Sequence, residues 1–298
     1  MKIDSLIKLL ICPYCKGDLH LLNNNEEIVC SVCDIRYSVV DGVPILMKLD
    51  KLEKQERKQL SFFNKHYFDF PISNYKLENW RLSMLNRILD NDFSQSVSNY
   101  LDIGCGATGY TAIESVKRNN WTSIGTDISI EAMIKASHRA EKEGVQDKTA
   151  FIVCSAENLP FRKNFFDYIS AISVLEHIDD DEKVIDNISF ALRDKGYVYI
   201  CVPNTYLRMW PFLWPIYVYH DIKIGHKRHY SVEGLTKKFI GSGFKKYTCF
   251  YNGHLIKLYQ LVLDKLEKID DSKWWELERK DINDNSMGLQ MNVIYQKL

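Results

Sequence analysis

Asn99-Tyr-Leu-Asp-Ile-Gly-Cys-Gly-Ala-Thr-Gly-Tyr110 decides the fold. Tyr100 to Ile103 reads as a short apolar strand, Gly104, Gly106 and Gly109 break it, and a helical pattern begins at Tyr110. A glycine turn between a strand and a helix lets backbone approach a ligand and aims unpaired helix N–H groups at it. Alone, the pattern fits a dinucleotide pocket, a pocket for a sulfonium nucleoside or a tight structural turn.

Asp102, just ahead of the first glycine, narrows the choice. It stands at the strand's carboxyl end, where ligands of such sheets bind. A carboxylate there repels a pyrophosphate and attracts a ligand carrying an ammonium and a sulfonium, which is what S-adenosylmethionine presents. Downstream, strand-like runs (Tyr100–Ile103, Thr122–Thr126, Ala150–Cys154, Tyr168–Ser173, Tyr197–Val202) alternate with helical ones (Thr111–Lys117, Ile130–Glu143, Asp180–Leu192, Val232–Ile240). The alternation predicts an α/β fold, a mostly parallel sheet with helices on both faces. Two late strand-like runs, Lys246–Tyr251 and Asn292–Gln296, flank an amphipathic helix over about His254–Lys268.

Composition sets the outer limits. The 298 residues suffice for one large domain plus a small module, with 46% apolar residues for a core. The net charge of +0 excludes an overall electrostatic trap for nucleic acid. No run approaches the ~20 apolar residues of a membrane span. Leu6 to Ile11, ahead of Cys12, is too short and too charged for a leader, so the chain is expected in the cytoplasm. Cys105, Cys154, Cys201 and Cys249 fall in or beside strand runs and read as reduced core residues.

The other cysteines pair as Cys12-Pro-Tyr-Cys15 and Cys30-Ser-Val-Cys33, fourteen residues apart. Two such turns facing each other give a tetrahedral four-thiolate site with no open position, hence a structural Zn2+. It would replace the core that residues 1–50 cannot build alone. This segment resembles the small zinc-ribbon activator proteins that partner tRNA, rRNA and release-factor methyltransferases, through Leu9-Leu-Ile-Cys-Pro-Tyr-Cys-Lys-Gly-Asp-Leu19 and Tyr37-Ser-Val-Val-Asp-Gly-Val-Pro-Ile-Leu46. The resemblance implies a module that supports a methyltransferase, partly by covering apolar surface. With five basic and seven acidic side chains in residues 1–50, it is a poor grip for phosphate.

Residues 51–97 read as a helical connector or cap: a charged run over Lys51–Gln59, then Phe62, Phe63, Tyr67, Phe68 and Phe70, then Leu82, Leu85, Ile88 and Leu89 at helical spacing behind Trp80. Packing on the main sheet is the plainer expectation, and a lid over the cofactor pocket the other.

Residues 98–298 resemble class I S-adenosylmethionine-dependent methyltransferases, particularly the ubiquinone and menaquinone C-methyltransferase branch. The motifs are Leu101-Asp-Ile-Gly-Cys-Gly106, Gly125-Thr-Asp-Ile-Ser129, Ser155-Ala-Glu-Asn-Leu-Pro-Phe161, Phe166-Asp-Tyr-Ile169, Ser173-Val-Leu-Glu-His-Ile178 and Gly241-Ser-Gly-Phe244. The resemblance implies a Rossmann-like seven-stranded sheet with its last strand antiparallel. It implies cofactor contacts at Asp102, Gly104, Gly106, Thr108, Gly109, Asp127, Ile128, Ala156, Glu157 and Ser173. Asp127 can accept both ribose hydroxyls, or can serve the start of the next helix. Asp167 reads as structural. Two departures stand out: Thr108 occupies the usual third-glycine position, with Gly109 after it, and Ser155 stands where an acid is usual.

Methyl transfer is an in-line displacement on an activated electrophile, so the protein chiefly orients and dries the site. His177 is the candidate base or orienting group. No Asn/Asp-Pro-Pro-Tyr clamp follows the fourth strand, which disfavours amide and exocyclic-amine acceptors. Residues 204–230 form an insertion on the acceptor side. Its stretch Met209–Tyr219 is apolar and aromatic, with Pro211 and Pro215 expected to block a regular helix. It is a candidate lid or a peripheral membrane contact. Residues 223–246 hold seven Lys/Arg against one acid. Trp214, Arg228, His229 and Tyr230 are the candidate acceptor-side residues, Arg228 and His229 as grips for phosphate or carboxylate. The expected activity is methyl transfer to a small or lipid-like metabolite with apolar and anionic parts. A tRNA or rRNA methyltransferase and an inactive binding protein of this fold are the alternatives.

Overall fold

A computed structural model describes residues 1–22, 25–49, 54–68, 79–208, 211–266 and 268–298. The N-terminal module has a short helix α1 (Ile3–Leu6) and four strands, β1 (Leu19–Leu22), β2 (Glu27–Cys30), β3 (Arg36–Val40) and β4 (Val43–Pro44). They pair in that order, all antiparallel. Helices α2 (Lys54–Phe68) and α3 (Asn79–Leu89) follow.

The larger unit runs β5 (Asn99–Ile103), α4 (Tyr110–Asn119), β6 (Thr122–Asp127), α5 (Ile130–Lys142), β7 (Thr149–Val153), β8 (Phe166–Ile172), α6 (Asp181–Ala191) and β9 (Leu192–Pro203). It continues with α7 (Trp214–Ile224), α8 (Val232–Gly241), β10 (Phe244–Asn252), α9 (Leu255–Lys265), α10 (Asp271–Asp281) and β11 (Gln290–Lys297). The sheet order is β10-β11-β9-β8-β5-β6-β7. Strand β11 is antiparallel to both neighbours, while β5 to β9 are mutually parallel. The seven-stranded Rossmann-like expectation is met.

The central strands are buried on both faces, which is why they read as unbroken apolar runs. Helix α5 turns Ala132, Met133, Ala136 and Ala140 inward at helical spacing, against Phe151 and Val153 of β7. Beside β5 lie β6 on one side and β8 on the other, so the glycine turn after β5 sits where the strand order reverses.

The N-terminal module is built into the core rather than tethered to it. Leu6, Leu10, Cys12, Leu19 and Tyr37 share one apolar cluster with Ile152, Leu159 and Phe161, and Val43, Ile45 and Met47 join a second with Phe151. Ile45 bridges in parallel to Val153 of the edge strand β7, and Leu10 pairs with Phe161. The module thus covers a sheet edge whose N–H and C=O groups would otherwise be open. The expected covering of apolar surface is what the structure contains.

One expectation needs correction, and one helix was not foreseen. Pro215 does not prevent a helix: it occupies the first turn of α7, where no intrahelical acceptor awaits its missing N–H. Helix α10, polar by sequence, buries Trp274 and Leu277 against the rest of the unit and had no reading at all. Residues 51–97 are both packing and cap: α3 buries Leu85, Ile88 and Leu89 in the core, whereas Phe63 of α2 lines a cavity. Phe70, Met209, Trp210 and the side chains of Tyr67, Phe68 and Trp80 lie outside the described residues.

Candidate active site

Two cavities meet at the glycine turn. One, of about 290 Å³, is lined by Asp102, Gly104, Gly106, Thr108, Tyr110, Arg81 and Met84 among others. The other, of about 110 Å³, is lined by Asp127, Ile128, Ala156, Glu157, His177 and Phe63 among others. Gly104 and Ser173 border both. Gly104 has φ +71°, and a Cβ there would lie 2.4 Å from Val174 Cγ2. No side chain fits, and the backbone forms the wall.

Gly109 has a different job from the one expected. It begins α4 at φ +49°, and a Cβ would meet the Phe151 ring at 2.6 Å. It serves close packing of helix on sheet and lines neither cavity. Thr108 does line the larger cavity, and its carbonyl accepts from Arg139 Nη1 at 3.0 Å.

Asp102 is buried, and its Oδ1 accepts from Ser170 Oγ at 2.6 Å. Burial pushes its carboxyl up to about 7. Asp127 Oδ2 accepts from the Gly106 N–H at 3.1 Å and Oδ1 from the Ser129 N–H at 2.9 Å. Burial raises it to about 6. Asp127 therefore ties the glycine turn to the start of α5 and lines the smaller cavity. Ser129, not Asp127, caps α5, accepting from the Ala132 N–H at 3.1 Å. Two carboxylates held against their preference for water are a standing attraction for a cation at the larger cavity and for hydroxyl donors at the smaller.

Glu157 lines the smaller cavity, and its Oε1 accepts from the Asp180 N–H at 3.1 Å. Ser155 accepts from the Glu157 N–H at 3.3 Å, closing the short turn after β7. Ser173 sits in the left-handed region at φ +54°, a costly conformation for a non-glycine residue and one that clusters at functional sites. Asp167 is structural, as expected: Oδ2 accepts from the N–H groups of Ser98 and Asn99 at 2.7 and 2.8 Å, and Oδ1 pairs with Arg193 at 2.7 Å.

A third cavity, lined by Lys58, Phe62, Phe63, His177 and residues 221–227, adjoins the smaller one through Phe63 and His177. Burial holds His177 down to about 4, so its ring is neutral at neutral pH, and Nδ1 lies 3.3 Å from the Gly225 carbonyl. Its neighbour Glu176 is fully buried, and burial raises it to about 8.

The other acceptor-side residues lie elsewhere than expected. Arg228 pairs with Asp181 at 3.0 Å and donates to the Asp179 carbonyl at 2.8 Å. His229 presents Nδ1 to the Asn204 carbonyl at 2.6 Å and Nε2 to Asp221 at 2.7 Å. The Tyr230 hydroxyl reaches the Leu175 carbonyl and Asp181. Arg228 and Tyr230 close the insertion onto α6 and the turn after β8, and His229 ties the insertion to itself. Trp214 begins α7 beside Tyr206, 37% exposed and away from all three cavities. The basic groups that do face the third cavity are Lys58, Lys223 and Lys227. Arg81 and His226 had no reading, while Phe63 and Lys58 fall in the connector for which a lid was one expectation; His226 lay inside the basic stretch already singled out, but spacing does not say which of its side chains turn inward.

The four cysteine sulfurs converge: Cys15–Cys30, Cys15–Cys33 and Cys12–Cys33 lie 3.3, 3.4 and 3.7 Å apart. Bonds of about 2.3 Å in a zinc tetrahedron separate sulfurs by ~3.8 Å, so the set fits such an ion. The Val32 N–H at 3.4 Å from Cys30 and the Tyr37 hydroxyl at 3.2 Å from Cys12 supply the surrounding hydrogen bonds.

Comparison with known proteins bears on both units. Residues 101–200 match the family model described as a methyltransferase domain, and residues 4–42 the one described as Trm112p-like protein. Norajmaline N-methyltransferase of Rauvolfia serpentina is 36% identical over 95 residues, 32% of each chain. The chain therefore spans about a third of the length of the curated methyltransferases it matches. A UPF0434 protein of Methylobacillus flagellatus is 40% identical over 43 residues, 14% of this chain and 72% of that one. The solved geranyl diphosphate C-methyltransferase of Streptomyces coelicolor A3(2) superposes with a TM-score of 0.58 at 11% identity, covering 83% of this chain and 99% of the other. At that identity the likeness is one of fold.

Proposed function

From a chain that belongs to the class I S-adenosylmethionine-dependent methyltransferases and carries a Trm112p-like module at its N-terminus, we propose methyl transfer to a small or lipid-like metabolite with an apolar and an anionic part. What carries this reading is the run of cavities. The larger and smaller ones share Gly104 and Ser173, and the smaller shares Phe63 and His177 with the third.

In this reading Asp102 faces the cationic end of the cofactor and Arg81 its carboxylate, Asp127 accepts from the ribose hydroxyls, and Ala156 and Glu157 border the adenine. Once bound, the cofactor supplies an activated methyl group. The chain's part is to align an acceptor arriving from the third cavity with His177 beside it. Phe62, Phe63, Ile222 and Ile224 offer apolar wall, and Lys58, Lys223 and Lys227 offer positive charge. The anionic part of the acceptor is thus assigned to Lys58 and Lys223, since Arg228 is engaged with Asp181 and Lys227 with Asp179.

A lipid-like acceptor gains support from exposed apolar side chains on the insertion: Leu207 is 86% exposed, Tyr219 70% and Ile222 77%. They form a surface suited to touching a membrane interface. Among the described residues no helix is long and apolar enough to cross one. A structural zinc ion on Cys12, Cys15, Cys30 and Cys33 belongs to the proposal, as does a reducing, cytoplasmic setting for eight unpaired cysteines.

The test is to incubate the purified chain and methyl-labelled cofactor with separate lipid, small-metabolite and RNA extracts. Label should pass to an organic-soluble or anionic small product. Label passing to RNA alone refutes the acceptor class.

A further inference from the structure

The buried carboxylate of Glu176 has no role in this reading. The residue is 0% exposed, and neither carboxyl oxygen makes a well-formed hydrogen bond among the described residues, the Ser173 side chain and its own backbone N–H being its polar neighbours. A buried carboxyl so poorly provided with donors is a ready ligand for a cation, which would displace its proton. Two imidazoles face it. His226 Nε2 lies 3.7 Å from Glu176 Oε1, and one ligand atom each of Glu176, His177 and His226 falls within 4.8 Å of the others.

The rings are already oriented for such a task. His226 Nδ1 lies 2.7 Å from Asp221 Oδ1, so Nε2 is the nitrogen presented to Glu176. His177 Nδ1 lies 3.3 Å from the Gly225 carbonyl, which fixes the ring of the second imidazole. Asp221 is itself fixed by the Tyr206 hydroxyl and by His229 Nε2. A histidine with one nitrogen on a carboxylate or carbonyl and the other turned to a shared point is the outer-shell pattern of metal sites.

We propose that Glu176, His177 and His226 hold a divalent transition-metal ion at the junction of the smaller and third cavities. Two imidazoles and a carboxylate suit Zn2+, Fe2+ or Mn2+ better than Mg2+ or Ca2+. Bonds of about 2.1 Å in a tetrahedron set ligand atoms ~3.4 Å apart, so the side chains close in by about an ångström. Three protein ligands leave a position open toward the cavities, where a hydroxyl, phenol or carboxylate oxygen of an acceptor can bind. His177 is then a ligand rather than a free base. The inference goes beyond the methyl-transfer reading, and a metal count tests it without any acceptor.

The experiment loads the purified full chain with Co2+ and measures metal content by mass spectrometry together with absorption. Four thiolates give an intense near-ultraviolet charge-transfer band. A nitrogen and oxygen site gives only weak visible bands, so the two sites are told apart. Wild type should hold about two equivalents per chain, and Glu176→Gln and His226→Ala about one each, with the thiolate band kept as evidence of folding. One equivalent in wild type, accompanied by the thiolate band, overturns the proposal. So does an unchanged count in both variants. Should either variant lose the thiolate band, Asp221→Asn takes its place. It removes only the orienting carboxylate and should weaken the second site by ~10–100-fold, and unchanged affinity there overturns the proposal as well.

Discussion

Gly104→Ala tests the wall between the two cofactor cavities. Its left-handed backbone, φ +71°, costs an alanine about 1–2 kcal/mol. The added Cβ would stand 2.4 Å from Val174 Cγ2. The turn cannot swing away, because the N–H groups of Gly104 and Cys105 both donate to the Thr126 carbonyl, at 2.7 and 3.0 Å. Val174 must therefore move, an overpacking of about 1–3 kcal/mol. Together the terms give ~2–5 kcal/mol, a fall in melting temperature of roughly 3–8 °C for a chain of this size. Cofactor affinity should fall about tenfold or more, since the displaced backbone borders both cavities. Calorimetric titration and thermal unfolding measure the two effects. The double variant Gly104→Ala, Val174→Ala separates the terms: it should recover the packing part and keep the backbone part, so the single-variant losses are not additive. Wild-type melting and affinity in Gly104→Ala, or strict additivity in the double variant, refutes the reasoning.

Burial holds the Asp102 proton up to about 7, and the cofactor's cation needs the charged form, so affinity should drop below that pH and binding at pH 6 should release protons. Titration in buffers of different ionisation heat measures this, and no proton release counts against it. Asp102 should cost the unliganded fold stability as pH rises from about 4 to about 7, against an opposite contribution from His177, and Asp102→Asn should remove that part of the slope. The unfolded carboxyl ionises near 3.8 while the buried one stays protonated, so the folded state binds more protons across that window. Urea melts across the window check the sign. Arg81→Met, in the larger cavity, should weaken cofactor binding by ~10–100-fold through loss of a charge-assisted contact worth about 1.5–3 kcal/mol, and unchanged affinity by titration removes Arg81 from the site. Cys30→Ser should lower both the melting temperature and cofactor affinity, because the module holds residues 159–162. A variant that loses metal yet binds cofactor normally would uncouple the two.

The sheet was legible because its strands are buried on both faces, which writes continuous apolar runs into the sequence. The cysteine cluster was legible because two short spacings suffice to define it. Gly109 was misread because a glycine needed for helix packing and one needed for ligand approach look alike in sequence; only the Phe151 ring beside it separates them. Arg228 was misread for a similar reason. A cation in a basic stretch looks available until Asp181, forty-seven residues earlier, is found beside it. Arg81 went unread, and packing and lid stayed open for Phe63, because α2 and α3 reach the cavities by tertiary packing that no local pattern encodes. Helix α10 escaped because its inward stripe, chiefly Trp274 and Leu277, is narrow among charged residues.

The turn after β7 explains why the N-terminal module matters to a site it does not line. Residues 154–157 border the smaller cavity, and the module holds that turn at both ends. On the near side Val153 belongs to β7, but its carbonyl accepts from the Leu46 N–H of the module at 2.8 Å. On the far side the Ile11 N–H donates to the Pro160 carbonyl at 2.9 Å, Lys16 Nζ to the Leu159 carbonyl at 3.3 Å, and Arg162 reaches Asp18 at 2.6 Å. Cys12, Cys15 and Cys30 stand within a few residues of these contacts, so whatever orders the sulfurs also orders the grip. A turn fixed at both ends loses less conformational entropy when a ligand binds it. The module therefore acts on the cofactor site by preorganisation.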